Sequence, residues 1–431
     1  HRENLDLHQE DVTSAEGVFD DEDDFFQQTV GINVGADLTE NVSANIRLAN
    51  EREWDTDGTA TGDFDVSQAY VSLKELFYAP LTLRVGTQPI VWGRGFVLGS
   101  NLLPTVFPGD DRNAAIVANE FTDFTAFDAI RATLDLSGMS GGMPVTVDAV
   151  YVKLNERISG TPDDENLVGV NFGTRFDEMN SELETYYLNK SDKSPGGTAA
   201  VTAANQADAS VSTWGIRGSA KPAEGTYVYG ELAYQWGTRD LDINGGTLPT
   251  GDAQQAWAIN LGADFTLTGA AMTPKIGGEW IYFSGKDADG AVQGWDPIAR
   301  GYFTTALREF QTAGASGFYG TDQAGDTSAA TNQHQLSIYG SFTPIEDLSV
   351  SPRLSWFILD VGAIPVAGSK RQSFAGTEWD TVVNYNYTDD VQLGLIYALF
   401  LPGNVYRTAV TGGTSGDSTA QELITSVSVK F

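Results

Sequence analysis

Eleven polar side chains able to hold or steer a solute stand on segments whose alternate residues are apolar: Arg47, Glu51, Arg84, Gln88, Arg131, Arg175, Arg217, Glu231, Asp264, Glu279 and Arg353. An Arg or Lys facing hydrocarbon near mid-membrane costs about 2–4 kcal/mol. If these segments cross a bilayer, the side chains point inward and line a lumen with both signs of charge. Chain order adds geometry. Arg47, Arg84, Arg131, Arg175 and Arg217 come first and Glu231, Asp264 and Glu279 follow, so in a barrel of consecutive strands a basic arc adjoins an acidic one and sets a transverse field. The other reading is mutual pairing within a packed lumen.

Other chemistry has few carriers. The chain contains no Cys, which excludes disulfides, thiolate metal sites, cysteine nucleophiles and covalently attached haem. Its histidines are His1, His8 and His334; the last opens an alternating segment on the apolar parity, where a rim residue is expected rather than a general base. No catalysis, cofactor or resident metal is therefore expected. The acidic runs Asp20-Asp21-Glu22-Asp23-Asp24 and Asp163-Asp164-Glu165 contribute to a formal net charge of −33. They offer hard oxygen ligands for divalent cations shared with lipopolysaccharide phosphates. Asp55-Thr56-Asp57-Gly58 and Asp287-Ala288-Asp289-Gly290 echo a calcium loop but lack its downstream acidic ligand, so a solvated, repelling surface is the default.

The elements that position these groups follow from period-two patterning. Val30, Ile32, Val34, Ala36 and Leu38 share one face, with Thr29, Asn33 and Asp37 opposite; such alternation gives a strand with one apolar and one wet face. The pattern returns at Trp257, Ile259, Leu261, Ala263 and Phe265, at Val391, Leu393, Leu395 and Tyr397, and at Leu423, Thr425, Val427, Val429 and Phe431. The runs are about ten to twelve residues long, beyond the usual strands of a soluble sandwich and right for a membrane barrel. Mean hydropathy is only −0.20, which a barrel tolerates because every second residue alone meets lipid.

Short turns near 39–41, 76–80, 137–143, 178–180, 222–225, 268–272, 344–347 and 388–390 alternate with long loops near 55–63, 92–123, 156–164, 191–210, 239–253, 285–331, 362–375 and 402–418. This asymmetry places the short turns in the periplasm and the long loops outside. From Phe25 onward the strands number about seventeen, whereas bacterial single-chain barrels close on an even number. A preceding upward strand carrying Leu5 and Leu7 restores parity. The expectation is an all-β, antiparallel up-and-down transmembrane barrel of eighteen strands, sixteen being the alternative. Trp236, Trp257, Tyr282, Trp356 and Trp379 near the long loops, and Phe176, Phe265, Phe342, Tyr387 and Phe431 near the short turns, read as two aromatic girdles.

No Pro- or Ser-rich linker divides residues 1–431, so one barrel domain is expected. The segment 92–123 combines Gly93, Gly95, Gly99, Gly109, Pro104 and Pro108 with Phe96, Leu98, Leu102, Leu103, Val106 and Phe107. So apolar a loop is expected to fold into the mouth as a constriction, with Asp110, Asp111 and Arg112 at the entrance; the alternative is an external cap.

Two stretches resemble known families. The alternating segment Leu423 to Phe431, with its final Phe, resembles the C-terminal signal of bacterial outer-membrane proteins. Leu81-Thr82-Leu83-Arg84-Val85-Gly86-Thr87-Gln88 followed by Val91-Trp92-Gly93-Arg94-Gly95-Phe96 is similar to a strand segment of the alginate-export family of eighteen-stranded barrels. That resemblance implies an outer-membrane pore passing an anionic polysaccharide through an arginine-rich constriction, with Arg84, Gln88 and Arg94 facing the pore. The acidic balance of the chain departs from what an anion exporter would want. From the residues themselves the expected function is a porin for small hydrophilic or charged solutes; a polysaccharide exporter and a barrel sheathing a partner protein are the alternatives. Expected partners are outer-membrane lipid and lipopolysaccharide, such solutes, and a second copy or a periplasmic protein; no nucleic acid is expected.

Overall fold

A computed structural model describes residues 2–5, 22–54, 64–78, 80–100, 125–156, 164–192, 209–239, 252–286, 292–311, 331–363, 370–405 and 419–431. Asp110, Asp111, Arg112 and both calcium-loop-like fragments lie outside these residues, as do His1, Leu7 and His8.

The described chain is almost wholly antiparallel sheet. Its strands are β1 (Arg2–Leu5), β2 (Glu22–Phe25 continued by Gln27–Thr39), β3 (Val42–Glu53), β4 (Asp65–Leu73), β5 (Leu81–Gln88), β6 (Phe127–Asp135), β7 (Val145–Glu156), β8 (Asp164–Phe176) and β9 (Ser181–Asp192). The second half adds β10 (Ala209–Ala220), β11 (Thr226–Arg239), β12 (Asp252–Thr266), β13 (Lys275–Phe283), β14 (Gln333–Ile345), β15 (Leu348–Ala363), β16 (Gln372–Asn386), β17 (Val391–Pro402) and β18 (Ala420–Val429). From β2 to β18 each pairs antiparallel with the next. Short β1 pairs with residues 421–424 of β18 and with residues 22–25 of β2, bringing the sheet back on itself. The fold is the expected up-and-down barrel, with seventeen long strands and the short β1 as the eighteenth.

Alternation sets the register. Along β10 buried inward residues alternate with more exposed outward ones from Ala209 to Ala220, and Val30, Ile32, Val34, Leu261 and Leu395 lie exposed on the outer face. Outside water such exposure suits lipid, where strand ladders satisfy the backbone polar groups. Trp236, Trp257 and Trp379 at one rim, and Phe176, Phe265 and Tyr387 at the other, are exposed as girdle residues should be.

The inward face is less uniformly wet than alternation suggests. Toward the long loops it turns apolar, and Phe127, Val150, Val152, Leu154, Leu167 and Leu188 join one buried cluster with Ile90, Trp92, Phe96 and Leu98 from the connection after β5. A second cluster joins Phe357, Leu359, Ala398 and Phe400 to Leu307 from the connection after β13. Those inward apolar positions exist to clasp chain folded back into the barrel.

Candidate functional site

Two connections enter the lumen and meet there. After β5, residues 89–100 loop inward, and Trp92, Phe96, Val97 and Leu98 are buried; each such side chain removed from water contributes about 1.5–3 kcal/mol. The apolar composition that suggested an inward constriction is thus housed for the described part of segment 92–123. After β13, residues 294–311 also fold inward, although the polarity of 285–331 had suggested an external loop. The reason is local: Trp295, Ala299 and Leu307 pack on the wall, while the charges of this stretch find partners inside it.

The two inserts touch backbone to backbone. The Gly99 N–H donates to the Ala299 carbonyl at 2.8 Å and the Gly301 N–H to the Gly95 carbonyl at 2.8 Å. A side chain on Gly301 would place its Cβ 2.8 Å from the Gly99 carbonyl carbon, so the approach requires glycine.

Polar anchors fix them to the wall. The Gly93 N–H donates to Glu184 at 3.0 Å. Gln235 bonds both the N–H and the carbonyl of Asp296, at 2.9 and 2.7 Å, and Lys190 reaches the Asp296 carboxylate at 3.2 Å. A helical turn, Ala306–Gln311, points its free N–H groups at β16: Leu307 and Arg308 donate to Glu378 at 2.7 and 2.9 Å, and Ala306 to Asp380 at 3.2 Å. Carboxylates at a helix N-terminus satisfy groups that have no internal partner.

Within the second insert, Glu309 pairs with Arg300, both buried, and accepts from the Thr304 N–H at 2.8 Å and from Gln335 at 3.1 Å. Burial alone would raise the pKa of Glu309, but the Arg300 guanidinium and the Thr304 and Gln335 bonds outweigh it and hold the carboxyl below its usual range. A depressed folded pKa contributes stability that is present above the unfolded carboxylate value and lost as pH falls through the folded one. Acidification below the ordinary carboxylate range should therefore loosen this insert. Limited proteolysis across a pH series, read at residues 294–311, checks it: cleavage should appear only on the acid side.

A junction of charges and phenols unites the inserts with the wall. Glu279 accepts from Tyr229 at 2.9 Å, Tyr302 at 2.7 Å, Asn260 at 3.1 Å and Arg353 at 3.0 Å. Arg94 lies 3.7 Å over the Tyr229 ring and 4.5 Å over that of Tyr302. Burial beside Glu279 pushes the Tyr302 phenol up, so it remains a proton donor. Below this junction, on the short-turn side, opens a vestibule of about 1250 Å³. Its lining balances Arg94, Lys221, Lys275 and Arg353 against Glu182, Glu224, Asp264 and Asp380.

The side chains singled out in the sequence separate into groups. Arg94, Glu279 and Arg353 meet at the junction, and Asp264 lines the vestibule. Glu231 accepts from Tyr186 at 2.7 Å, and Arg217 pairs with Glu184 at 2.6 Å. Arg131 pairs with Asp148 at 2.7 Å, and Arg175, whose side chain is 74% exposed, with Glu182 at 3.1 Å. Arg84 bonds Ser72 at 3.1 Å. Gln88 is buried and donates to the Ala129 carbonyl at 2.9 Å. Arg47 and Glu51 face inward on β3, the latter buried. The contrast between basic and acidic arcs is therefore weaker than chain order suggested, because Asp148, Glu182 and Glu184 sit among the arginines. The inward parity of Asp148, Glu182 and Glu184 is present in the sequence, whereas the long-range partners that hold the second insert inside leave no local signal in it.

A lumen entered by folded-back connections, a lipid-facing apolar exterior and aromatic rims define an outer-membrane β-barrel. The family described as alginate export matches residues 9–420, and the chain belongs to that family. It resides in the Gram-negative outer membrane and is a transport protein rather than an enzyme. Similar solved structures include OccAB4 of Acinetobacter baumannii, 10% identical, with TM-score 0.51, covering 100% of this chain and 95% of that one. OccK11 (OpdR) of Pseudomonas aeruginosa is 13% identical, with TM-score 0.49 and coverage of 95% and 91%. Wzi of Escherichia coli, described as a carbohydrate-binding β-barrel involved in group 1 capsule assembly, is 13% identical, with TM-score 0.46 and coverage of 92% and 78%. No curated protein matches the chain in sequence.

Proposed function

We propose that the barrel is a conduit for hydrophilic, saccharide-type solutes, loaded from the periplasmic vestibule and passed through a constriction formed by residues 89–100 and 294–311. The observation that carries this reading is the vestibule of about 1250 Å³ roofed by Arg94 and Tyr302, one residue from each insert. Membership of the alginate-export family supports a sugar polymer as cargo and outward movement as direction. The balanced vestibule lining favours weak charge discrimination: a solute entering it meets as many carboxylates as cations. Neutral as well as acidic oligosaccharides should therefore enter.

Proteoliposomes test this. Swelling in an isotonic neutral oligosaccharide and in an oligo-uronate should be of similar rate, and planar-bilayer reversal potentials should show modest ion selectivity. Swelling confined to the uronate, with strong anion selectivity, would replace this reading by a dedicated polyanion exporter. No swelling with either would remove the saccharide reading.

A further inference from the structure

Three inward tyrosines share one unusual construction. Tyr186 of β9 stands opposite Gly215 of β10, Tyr229 of β11 opposite Gly262 of β12, and Tyr339 of β14 opposite Gly277 of β13. A Cβ on those glycines would lie 2.1, 2.2 and 2.5 Å from the ring carbon bearing the hydroxyl. Each ring therefore lies down across the neighbouring strand, in space that any other residue would fill. Its hydroxyl then reaches a carboxylate one strand further on: Tyr186 donates to Glu231 at 2.7 Å, Tyr229 to Glu279 at 2.9 Å and Tyr339 to Asp264 at 3.4 Å. The phenols are folded flat against the wall with their polar ends tied down, so their faces turn toward the lumen.

The register makes them a staircase. Tyr339 is level with Asp264 on β12, Tyr229 with Gly262, and Tyr186 with Ala233, which stands opposite Ala258. The steps are two and four residues, roughly 7 and 13 Å along the strand. They climb from the vestibule into the constriction. Tyr339 and Tyr229 line the vestibule; the wall residue Arg353 lies 4.6 Å over the Tyr339 ring, and the two upper rings are covered by the first insert. Trp92 lies 6.2 Å from the Tyr186 ring and Arg94 lies 3.7 Å over that of Tyr229. The covering leaves one donor over: Arg94 Nη2 donates to the Tyr302 hydroxyl at 2.5 Å, while Nη1 is buried with no hydrogen-bond partner.

We infer that Tyr339, Tyr229 and Tyr186 form an ascending track on which pyranose rings stack, and that Trp92 and Arg94 of the first insert occupy the upper part of that track in place of sugar. The inference rests on the saccharide reading above and deepens it. An aromatic face flanked by fixed carboxylates suits a ring with an apolar C–H face and equatorial hydroxyls. A cation over an aromatic face is attractive for the same quadrupolar reason, so Arg94 is a competitor for the Tyr229 face. Sugar ascending from Tyr339 must displace residues 89–100, which couples loading to opening.

The test uses the full chain in planar bilayers, with a neutral linear six-glucose oligosaccharide on the short-turn side as probe and the rate and duration of current block as readout. Tyr339→Ala should weaken block by about tenfold, the loss expected when one stacking face of about 1.4 kcal/mol is removed. Tyr339→Phe, which keeps the face, should stay within about twofold of the native protein. Trp92→Ala, which uncovers Tyr186, should lengthen each block. Block by Tyr339→Ala equal to the native protein, or equal loss in the Ala and Phe variants, would overturn the track while leaving a saccharide conduit standing. No block and no oligosaccharide flux in the native protein would overturn the conduit reading and the track with it.

Discussion

Glu309→Ala should raise single-channel conductance and make residues 294–311 sensitive to protease. Glu309 is fully buried, pairs with Arg300, and accepts from the Thr304 hydroxyl at 2.6 Å and the Thr305 N–H at 3.1 Å. Removing it leaves Arg300 charged and buried, with its guanidinium over the rings of Phe283 and Phe303, at 5.0 and 4.9 Å. Stranding one member of a buried pair costs about 3–5 kcal/mol. Release of the insert relieves that cost locally, because water then reaches Arg300 while the strand ladders of the barrel stay intact. The wall should therefore survive as the insert lifts. Single-channel recording with proteolysis of the same reconstituted sample decides it. Protease sensitivity without a conductance change would place the insert outside the ion path.

The second large effect concerns the wall. Leu261→Arg or Leu395→Arg should weaken folding into bilayers by about 2–4 kcal/mol if the position lies near mid-membrane. Both side chains are exposed on the outer face, Leu261 at 46% and Leu395 at 36%. Ser351→Arg is the matched control, since Ser351 lines the vestibule, where water solvates a guanidinium. Asn260 is unsuited to that role although it points inward, because it is 2% exposed and donates to Glu279 at 3.1 Å. Equilibrium folding into lipid vesicles in a urea series gives the three values. Equal loss at Leu261 and Ser351 would reverse the assignment of inner and outer faces.

Both expectations depend on separating what a strand announces from what its surroundings decide. The wall was legible residue by residue. A side chain in a strand has two directions open to it, and lipid on one side makes the wrong direction costly. Hence Val30, Ile32 and Leu261 disclosed the register, short turns such as that after Thr39 disclosed the topology, and the even-strand rule pointed to Arg2–Leu5 as the missing member.

The interior was legible only in part. The glycine-rich, apolar run around Phe96 disclosed its inward fold because so many apolar groups cannot remain in water. Residues 294–311 disclosed nothing comparable. Their position rests on Gln235, Gln254 and Glu378, which come from strands distant in sequence and supply hydrogen bonds to their backbone. Strand parity placed Arg131, Arg217 and Glu279 inside. Their partners, and so the charge a solute meets, depend on which inward residues lie within reach across neighbouring strands, and long-range contact alone fixes that. The tyrosine staircase divides the same way: inward parity of Tyr186, Tyr229 and Tyr339 is in the sequence, but the glycine opposite each ring becomes a neighbour only once the strands are in register.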